Sequence, residues 1–188
     1  KKPFFALNNV SFTVEQGQIV GFLGANGAGK TTSLKLILGH SHPNSGSISF
    51  KLDNKEISQI EMLKRLGYLP ERPYFYDYLT GEEFLKFFAN LSGRLGANEI
   101  KKRMDFLFAR VRLQTARKKQ LRNYSKGMLQ RIGIAQALIH QPEFVVLDEP
   151  MSGLEADKKR ELMSLLKTLR NESNTAFLYV THDQREIE

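Results

Sequence analysis

Gly24-Ala25-Asn26-Gly27-Ala28-Gly29-Lys30-Thr31 decides how this chain is read, because it stands between two different apolar patterns. The residues before it, 18–23, form a short β-branched and apolar run, whereas Leu34, Ile37 and Leu38 after it recur at helical spacing until Gly39. The string matches G-x-x-x-x-G-K-[ST] between a strand and a helix, the context in which glycines let backbone N–H groups converge on phosphate oxygens. A helix starting near Gly29 aims its positive end at the same anion. Lys30 is expected to neutralise the β and γ phosphates, and the Thr31 hydroxyl to reach a bridging Mg²⁺. The expected nucleotide-binding residues are Gly24, Ala25, Asn26, Gly27, Ala28, Gly29, Lys30, Thr31 and Thr32. A turn that uses glycine only for its shape is the competing reading, and the flanking strand and helix weigh against it.

A second feature lies far along the chain. An apolar strand is expected over 144–147, ending abruptly in Asp148 and Glu149 before Pro150, which cannot extend a ladder. Ligands of open parallel sheets bind beyond the C-terminal strand ends, so these acids should face the phosphate loop. Asp148 is expected to hold Mg²⁺ through water, and Glu149 to orient and deprotonate the water that attacks the γ-phosphorus. His182 follows a strand expected over 176–180 and reaches the same edge, where its expected role is a γ-phosphate contact. Lys30, Glu149 and His182 are thus the candidate catalytic residues. Alone, a strand ending in two acids or a single histidine is ordinary; the phosphate loop supplies their context. His40, His42 and His140 lie at helix ends or in loops and are assigned no role.

Between these landmarks, runs over 10–14 and 18–23 separated by Glu15, Gln16 and Gly17 predict a β-hairpin, and 47–50 a further short strand. Helical spacing predicts helices within 80–111, over 126–139 and over 156–170. Uninterrupted apolar strands between helices predict a parallel sheet covered on both faces. The fold class is α/β: a P-loop NTPase core, mostly a parallel sheet flanked by helices, with an N-terminal antiparallel β part and an inserted helical subdomain. The expected division is a nucleotide-binding core over 1–79 and 125–188 and a helical subdomain over 80–124. Both ends read as cut, since the sequence starts without Met and stops inside a polar, helical-looking stretch, 184–188.

Composition narrows the partners without choosing one. Hydrophobic residues at 41% and charged residues at 26% suit a folded protein, and the absence of cysteine excludes a disulfide framework or a thiolate metal site. No apolar run approaches the ~20 residues of a membrane span, and the Lys-Lys-Pro start lacks a secretory core, so a cytosolic or membrane-peripheral place is expected. A formal net charge of +8 favours anionic partners, whether phosphates, nucleic acid or an acidic membrane face. The densest basic cluster, Arg117, Lys118, Lys119 and Arg122, reads as a solvated helix end or loop.

In order along the chain, the phosphate loop, Tyr124-Ser125-Lys126-Gly127-Met128, the Asp148-Glu149 strand end, Ser152-Gly153-Leu154-Glu155 and Thr181-His182-Asp183 resemble the ATP-binding-cassette (ABC) ATPases. The resemblance covers nearly the whole chain. The second string stands where that family carries its signature, usually Leu-Ser-Gly-Gly-Gln, and Ser-Lys-Gly-Met with Gln130-Arg131 and 135–138 looks like a branch serving exporters. The resemblance implies ATP and Mg²⁺, and a dimer of cassettes in which each ATP lies between one subunit's phosphate loop and the other's Ser125, Lys126, Gly127 and Met128. It also implies separate transmembrane permease subunits, a peripheral place on the cytoplasmic face of a membrane, and no nucleic acid. Ser125 suits this geometry as an N-cap, with the following helix N-terminus and the open backbone of Gly127 directed at a partner's γ-phosphate.

Several positions depart from the family. Glu71 stands where a glutamine is usual and is expected to touch Mg²⁺ or its water, Glu155 stands where an aspartate is usual, and Met128 replaces the signature's last residue. The aromatic that stacks on adenine in relatives would precede the first residue shown, and Phe4 and Phe5 are poor substitutes. Tyr74, Phe75, Tyr76 and Tyr78 lie where relatives contact a cytoplasmic helix of a membrane subunit, although aromatics also fill cores. The leading function is the energy-coupling ATPase of an exporter. An ABC-type ATPase without a membrane partner, acting on ribosomes or in DNA repair, is the alternative. Too few residues separate Gly29 from Ser125 for the long coiled coil of chromosome-type heads, and Lys30, Asp148, Glu149 and His182 argue against a regulator that binds ATP without turnover.

Overall fold

The computed structural model describes residues 5–186. Phe4 and the last two residues of the stretch 184–188 lie outside them. In chain order the elements are β1 (Ile19–Leu23), α1 (Lys30–Ile37), β2 (Phe50–Leu52), β3 (Lys55–Ile57), α2 (Gln59–Leu63), β4 (Leu66–Leu69), α3 (Gly81–Ser92), α4 (Ala97–Arg110), α5 (Lys126–Leu138), β5 (Phe144–Asp148), α6 (Ala156–Ser173) and β6 (Ala176–Thr181), with 3₁₀ turns at Gln114–Ala116, Leu121–Asn123 and Gln184–Glu186.

Four strands form a parallel sheet in the order β1-β6-β5-β4. Up to their last residues, Asp148 and Thr181, its inner strands bury their side chains on both faces, because successive side chains enter two different cores. Val145 and Leu147 of β5, with Phe177 and Tyr179 of β6, pack into one core with Ile132 of α5 and Leu162, Leu166 and Leu169 of α6. Phe144 and Val146, with Leu178 and Val180, pack into the other against Leu34 and Ile37 of α1. The sheet is thus covered on both faces, and all four strands end at the edge that carries the polar residues.

Two strand expectations are corrected. Residues 10–14 form no strand, and β1 takes its ladder from β6, in parallel, rather than from a hairpin partner. The turn itself exists, with Gln18 N donating to Glu15 O at 3.1 Å, but the preceding segment meets β1 through side chains only, Phe12 lying 5.0 Å from Phe22 between ring centroids. The strand expected over 47–50 begins at Phe50 instead, because Asp53 and Asn54 both take positive φ, 50° and 63°, and close a two-residue hairpin that pairs Leu52 with Lys55. The antiparallel part of the fold is therefore β2 and β3.

Thr80 opens α3 with a capping box: its side chain accepts from Glu83 N at 3.2 Å and its own N donates to Glu83 Oε2 at 2.8 Å. The chain leaves the core region at Leu79 and returns beside it, with Leu121 N donating to Leu79 O at 2.8 Å. From there α5 runs directly along β4. A Cβ added at Gly67 would stand 2.0 Å from the Ala137 carbonyl oxygen, so only glycine permits this approach, which brings the segment after β4 beside the N-terminus of α5. Gly67→Ala is expected to cost about 2 kcal/mol through forced separation of α5 from β4, lowering the calorimetric melting temperature by roughly 4–8 °C. An unchanged melt would show that the two elements are not held this tightly.

Candidate nucleotide site

The glycine turn connects β1 to α1 through two residues with positive φ, Gly27 at 85° and Gly29 at 95°. Gly29 occupies the N-cap position and supplies no side-chain cap, so the first N–H groups of α1 are left for a ligand. Lys30 folds back over the turn, its Nζ donating to Gly24 O at 2.5 Å and Ala25 O at 3.2 Å. Gly24 N donates to Thr181 O at 3.3 Å, which fastens the turn to the end of β6. Thr31 and Thr32 lie in the first turn of α1.

The acids sit two strands away, at the end of β5. The Asp148 carboxyl is pushed up to about 6 from an ordinary 3.8, by burial first and then by the Glu71 and Glu149 charges, while the Lys30 ammonium pulls the other way. Glu71, Asp148, Glu149 and Lys30 are therefore within electrostatic reach of one another. Glu149 is buried and holds φ at 50°, an unusual angle for a residue with a side chain, which marks the strand end as constrained. Its Oε1 lies 2.8 Å from His182 Nδ1 and its Oε2 3.5 Å from Thr181 Oγ1. With Nδ1 as the donor, the half-exposed imidazole keeps Nε2 directed elsewhere as an acceptor.

These residues fit a phosphate-bound hard cation. Among the described residues no three His, Cys, Asp or Glu side chains converge to hold a metal unaided. Mg²⁺ takes one or two carboxylates and completes its shell with water and phosphate oxygens, which matches a hydroxyl at Thr31 and a repelled carboxyl at Asp148.

Ser125, Lys126, Gly127 and Met128 form the start of α5. Ser125 caps α5, accepting from Met128 N at 3.3 Å, and the Cα of Gly127 faces open space. Lys126 and Glu71 share a cleft of about 380 Å³ with Arg72, Phe75, Gln130 and Ser152. Sequence reasoning missed a contact here: a Cβ at Gly153, φ 68°, would stand 2.0 Å from Lys126 Nζ, so the lysine lies against the loop that follows the acids. It also gave Thr181 no role, although that hydroxyl faces Glu149. The only available signal was its place beside His182. The aromatic group divides, with Tyr74 at 81% and Tyr78 at 62% exposed while Phe75 packs against Phe84 at a centroid distance of 5.5 Å.

Because the Asp148 carboxyl titrates above its ordinary value, it favours the fold below about pH 4, and that contribution is lost as pH rises through 6. Asp148→Asn keeps the neutral shape and is expected to stabilise the nucleotide-free chain by about 1 kcal/mol at pH 8, allowing for solvent screening at a half-buried site, with no gain at pH 4. Thermal melts at the two pH values without nucleotide or Mg²⁺ measure this; equal gains at both would assign the effect to packing instead.

Residues 7–152 match the family model described as ABC transporter. Over 185 residues the chain is 44% identical to an uncharacterized ABC transporter ATP-binding protein of Synechocystis sp., covering 97% of this chain and 51% of that protein. The chain thus spans about half the length of the curated relatives it matches. The structure is similar to that of cbiO1 from Clostridium perfringens, part of the ABC transporter complex cbiONQ, with a TM-score of 0.84 at 28% identity over 95% of this chain and 72% of that one. It is also similar to a bacterial ABC transporter cassette solved as a dimer, with a TM-score of 0.78 at 25% identity over 96% of this chain and 82% of that one. The family match spans both the phosphate loop and the acids that end β5, so the chain belongs to the ABC transporter family, whose ATP-binding domains hydrolyse ATP.

Proposed function

We propose that this chain binds ATP with Mg²⁺, hydrolyses it, and energises export through separate membrane subunits. The observation that carries the hydrolytic part is the buried Glu149 carboxylate, tethered to His182 on the same sheet edge as the glycine turn. Thr31, Asp148 through water, and Glu71 would hold Mg²⁺, and the ion supplies neutralisation of charge on the phosphate oxygens. Residues 24–32 bind the phosphates through backbone N–H groups, and Lys30 Nζ exchanges the Gly24 and Ala25 carbonyls for β and γ phosphate oxygens. Glu149 accepts a proton from water as the water oxygen bonds to the γ-phosphorus and the bond to the ADP oxygen breaks. His182 keeps that carboxylate oriented and offers its other nitrogen toward the γ-phosphate.

Two cassettes would sandwich each ATP, with Ser125, Lys126, Gly127 and Met128 of one copy facing the phosphate loop of the other. The exposed N-terminus of α5 and the dimeric similar cassette support this reading. No described helix is long and apolar enough to cross a membrane, and Tyr74 and Tyr78 offer exposed aromatic surface for a membrane subunit. The chain would then lie on the cytoplasmic face of the membrane. The Ser-Lys-Gly-Met string favours export as the direction, with no nucleic-acid partner.

Glu149→Gln is expected to retain ATP binding, lower turnover by about 10²–10⁴-fold and accumulate an ATP-bound dimer in size-exclusion chromatography. Near-normal turnover would reject Glu149 as the base. Affinity purification of the full-length protein from its native membranes is expected to recover a polytopic membrane protein; recovery of ribosomes instead would favour the partnerless ATPase reading.

A further inference from the structure

Behind the Glu149 carboxylate lies a second acid that the hydrolytic reading does not use. Glu186, in the 3₁₀ turn after His182, has a side chain only 4% exposed. Its Oε1 accepts from Lys159 Nζ of α6 at 2.6 Å, and its Oε2 accepts from Tyr179 OH at 2.7 Å and Thr181 Oγ1 at 2.8 Å. Three donors, one of them charged, hold this buried carboxylate in a fixed orientation. Lys159 Nζ also donates to Asp183 Oδ2 at 3.2 Å, so a single ammonium ties α6 to both ends of the turn that follows His182.

The consequence lies in the Thr181 hydroxyl. It has one proton and two carboxylates to choose between, Glu186 Oε2 at 2.8 Å and Glu149 Oε2 at 3.5 Å, and the shorter contact takes it. Asp183 N donates to the same oxygen at 3.1 Å, which fixes the hydroxyl from the other side. Glu149 Oε2 therefore keeps its lone pairs unclaimed while His182 holds Oε1.

We propose that Lys159 and Glu186 are a positioning pair that draws the Thr181 hydroxyl proton away from Glu149, leaving Glu149 Oε2 free to accept a proton from the attacking water. The proposal rests on the reading of Glu149 as the base. Loss of Glu186 lets the Thr181 proton turn to Glu149 and occupy the position that water needs. Lys159 acts one step further back, by holding Glu186. Because Lys159 stands one helical turn beyond Glu155, its N donating to Glu155 O at 2.9 Å, the pair also links the start of α6 to the histidine turn.

The test is steady-state ATP hydrolysis by the full-length protein carrying Glu186→Met, which removes the acceptor at similar volume. The expected result is a kcat reduced about tenfold with KM for ATP within about twofold. Adding Thr181→Val, which removes the competing hydroxyl, should restore most of the lost kcat, a recovery that a purely structural role for Glu186 does not produce. Should Glu186→Met melt below the assay temperature, Lys159→Met is expected to show the same split and Lys159→Arg to preserve turnover. An unchanged kcat in a folded variant, parallel changes in kcat and KM, or no recovery with Thr181→Val would each overturn the proposal. Glu149→Gln run alongside separates the two ideas: if it keeps turnover, the base assignment fails, whereas an inactive Glu149→Gln beside a fully active Glu186→Met removes the positioning pair alone.

Discussion

Glu71, Asp148 and Glu149 bring three carboxylates to one region of a sheet edge where a single ammonium, that of Lys30, pulls in the opposite direction. Repulsion of this kind opposes folding of the empty chain, and in the proposed function a cation carrying phosphate relieves it. The fold tolerates it because the remaining β5 and β6 side chains are buried in two cores, so the strand tips are held whatever the charges prefer. The constrained backbone at Glu149 is a local sign of the same compromise, and Val180 O, which accepts from Glu149 N at 2.9 Å, keeps that residue in register with β6.

Strand order turns this local chemistry into a site. Because β6 lies between β1 and β5, the glycine turn, the histidine turn and the acids end up as neighbours although the sequence scatters them from Gly24 to His182. Gly67 adds a fourth participant by letting α5 lie on β4, which sets Glu71 and Lys126 on the walls of one cleft. A shift in that single contact would move Glu71 relative to the start of α5, so packing and the proposed chemistry share one constraint here.

Much of this was readable from sequence wherever a feature had both a pattern and a length. Helix α1, strand β5 and helix α6 each show a continuous apolar or 3.6-residue pattern, and each lies where the pattern puts it. The apolar run over 10–14 forms no strand because strand propensity says nothing about whether a partner is present. The start of β2 was misplaced because its register is set by Asp53 and Asn54, whose left-handed backbone is a property of the turn rather than of the apolar run. Contacts between distant residues were least legible: Lys126 against Gly153, and Lys159 paired with Glu186, bring together residues whose sequence neighbourhoods carry no pairing signal. The aromatic segment was ambiguous for a simpler reason, since Tyr74 and Phe75 are adjacent yet one faces solvent and the other packs inward.

Charge placement at helix starts separates two kinds of helix. Helices α2, α3, α4 and α6 all carry an acid in the first turn, Glu61, Glu82 with Glu83, Glu99 and Asp157, which complements the positive end of the dipole from within the chain. Helices α1 and α5 carry none, and each instead begins with a lysine, Lys30 or Lys126, which adds positive charge where the dipole is already positive. Such an arrangement is unfavourable for an isolated chain and becomes favourable when an external anion covers the helix end. For α1 the anion in the proposed function is the phosphate tail over the chain's own glycine turn. For α5, whose end is exposed around Ser125 and Gly127, the proposed sandwich supplies the same phosphates from a second copy, so one ligand would relieve both unfavourable helix ends and draw the two cassettes together.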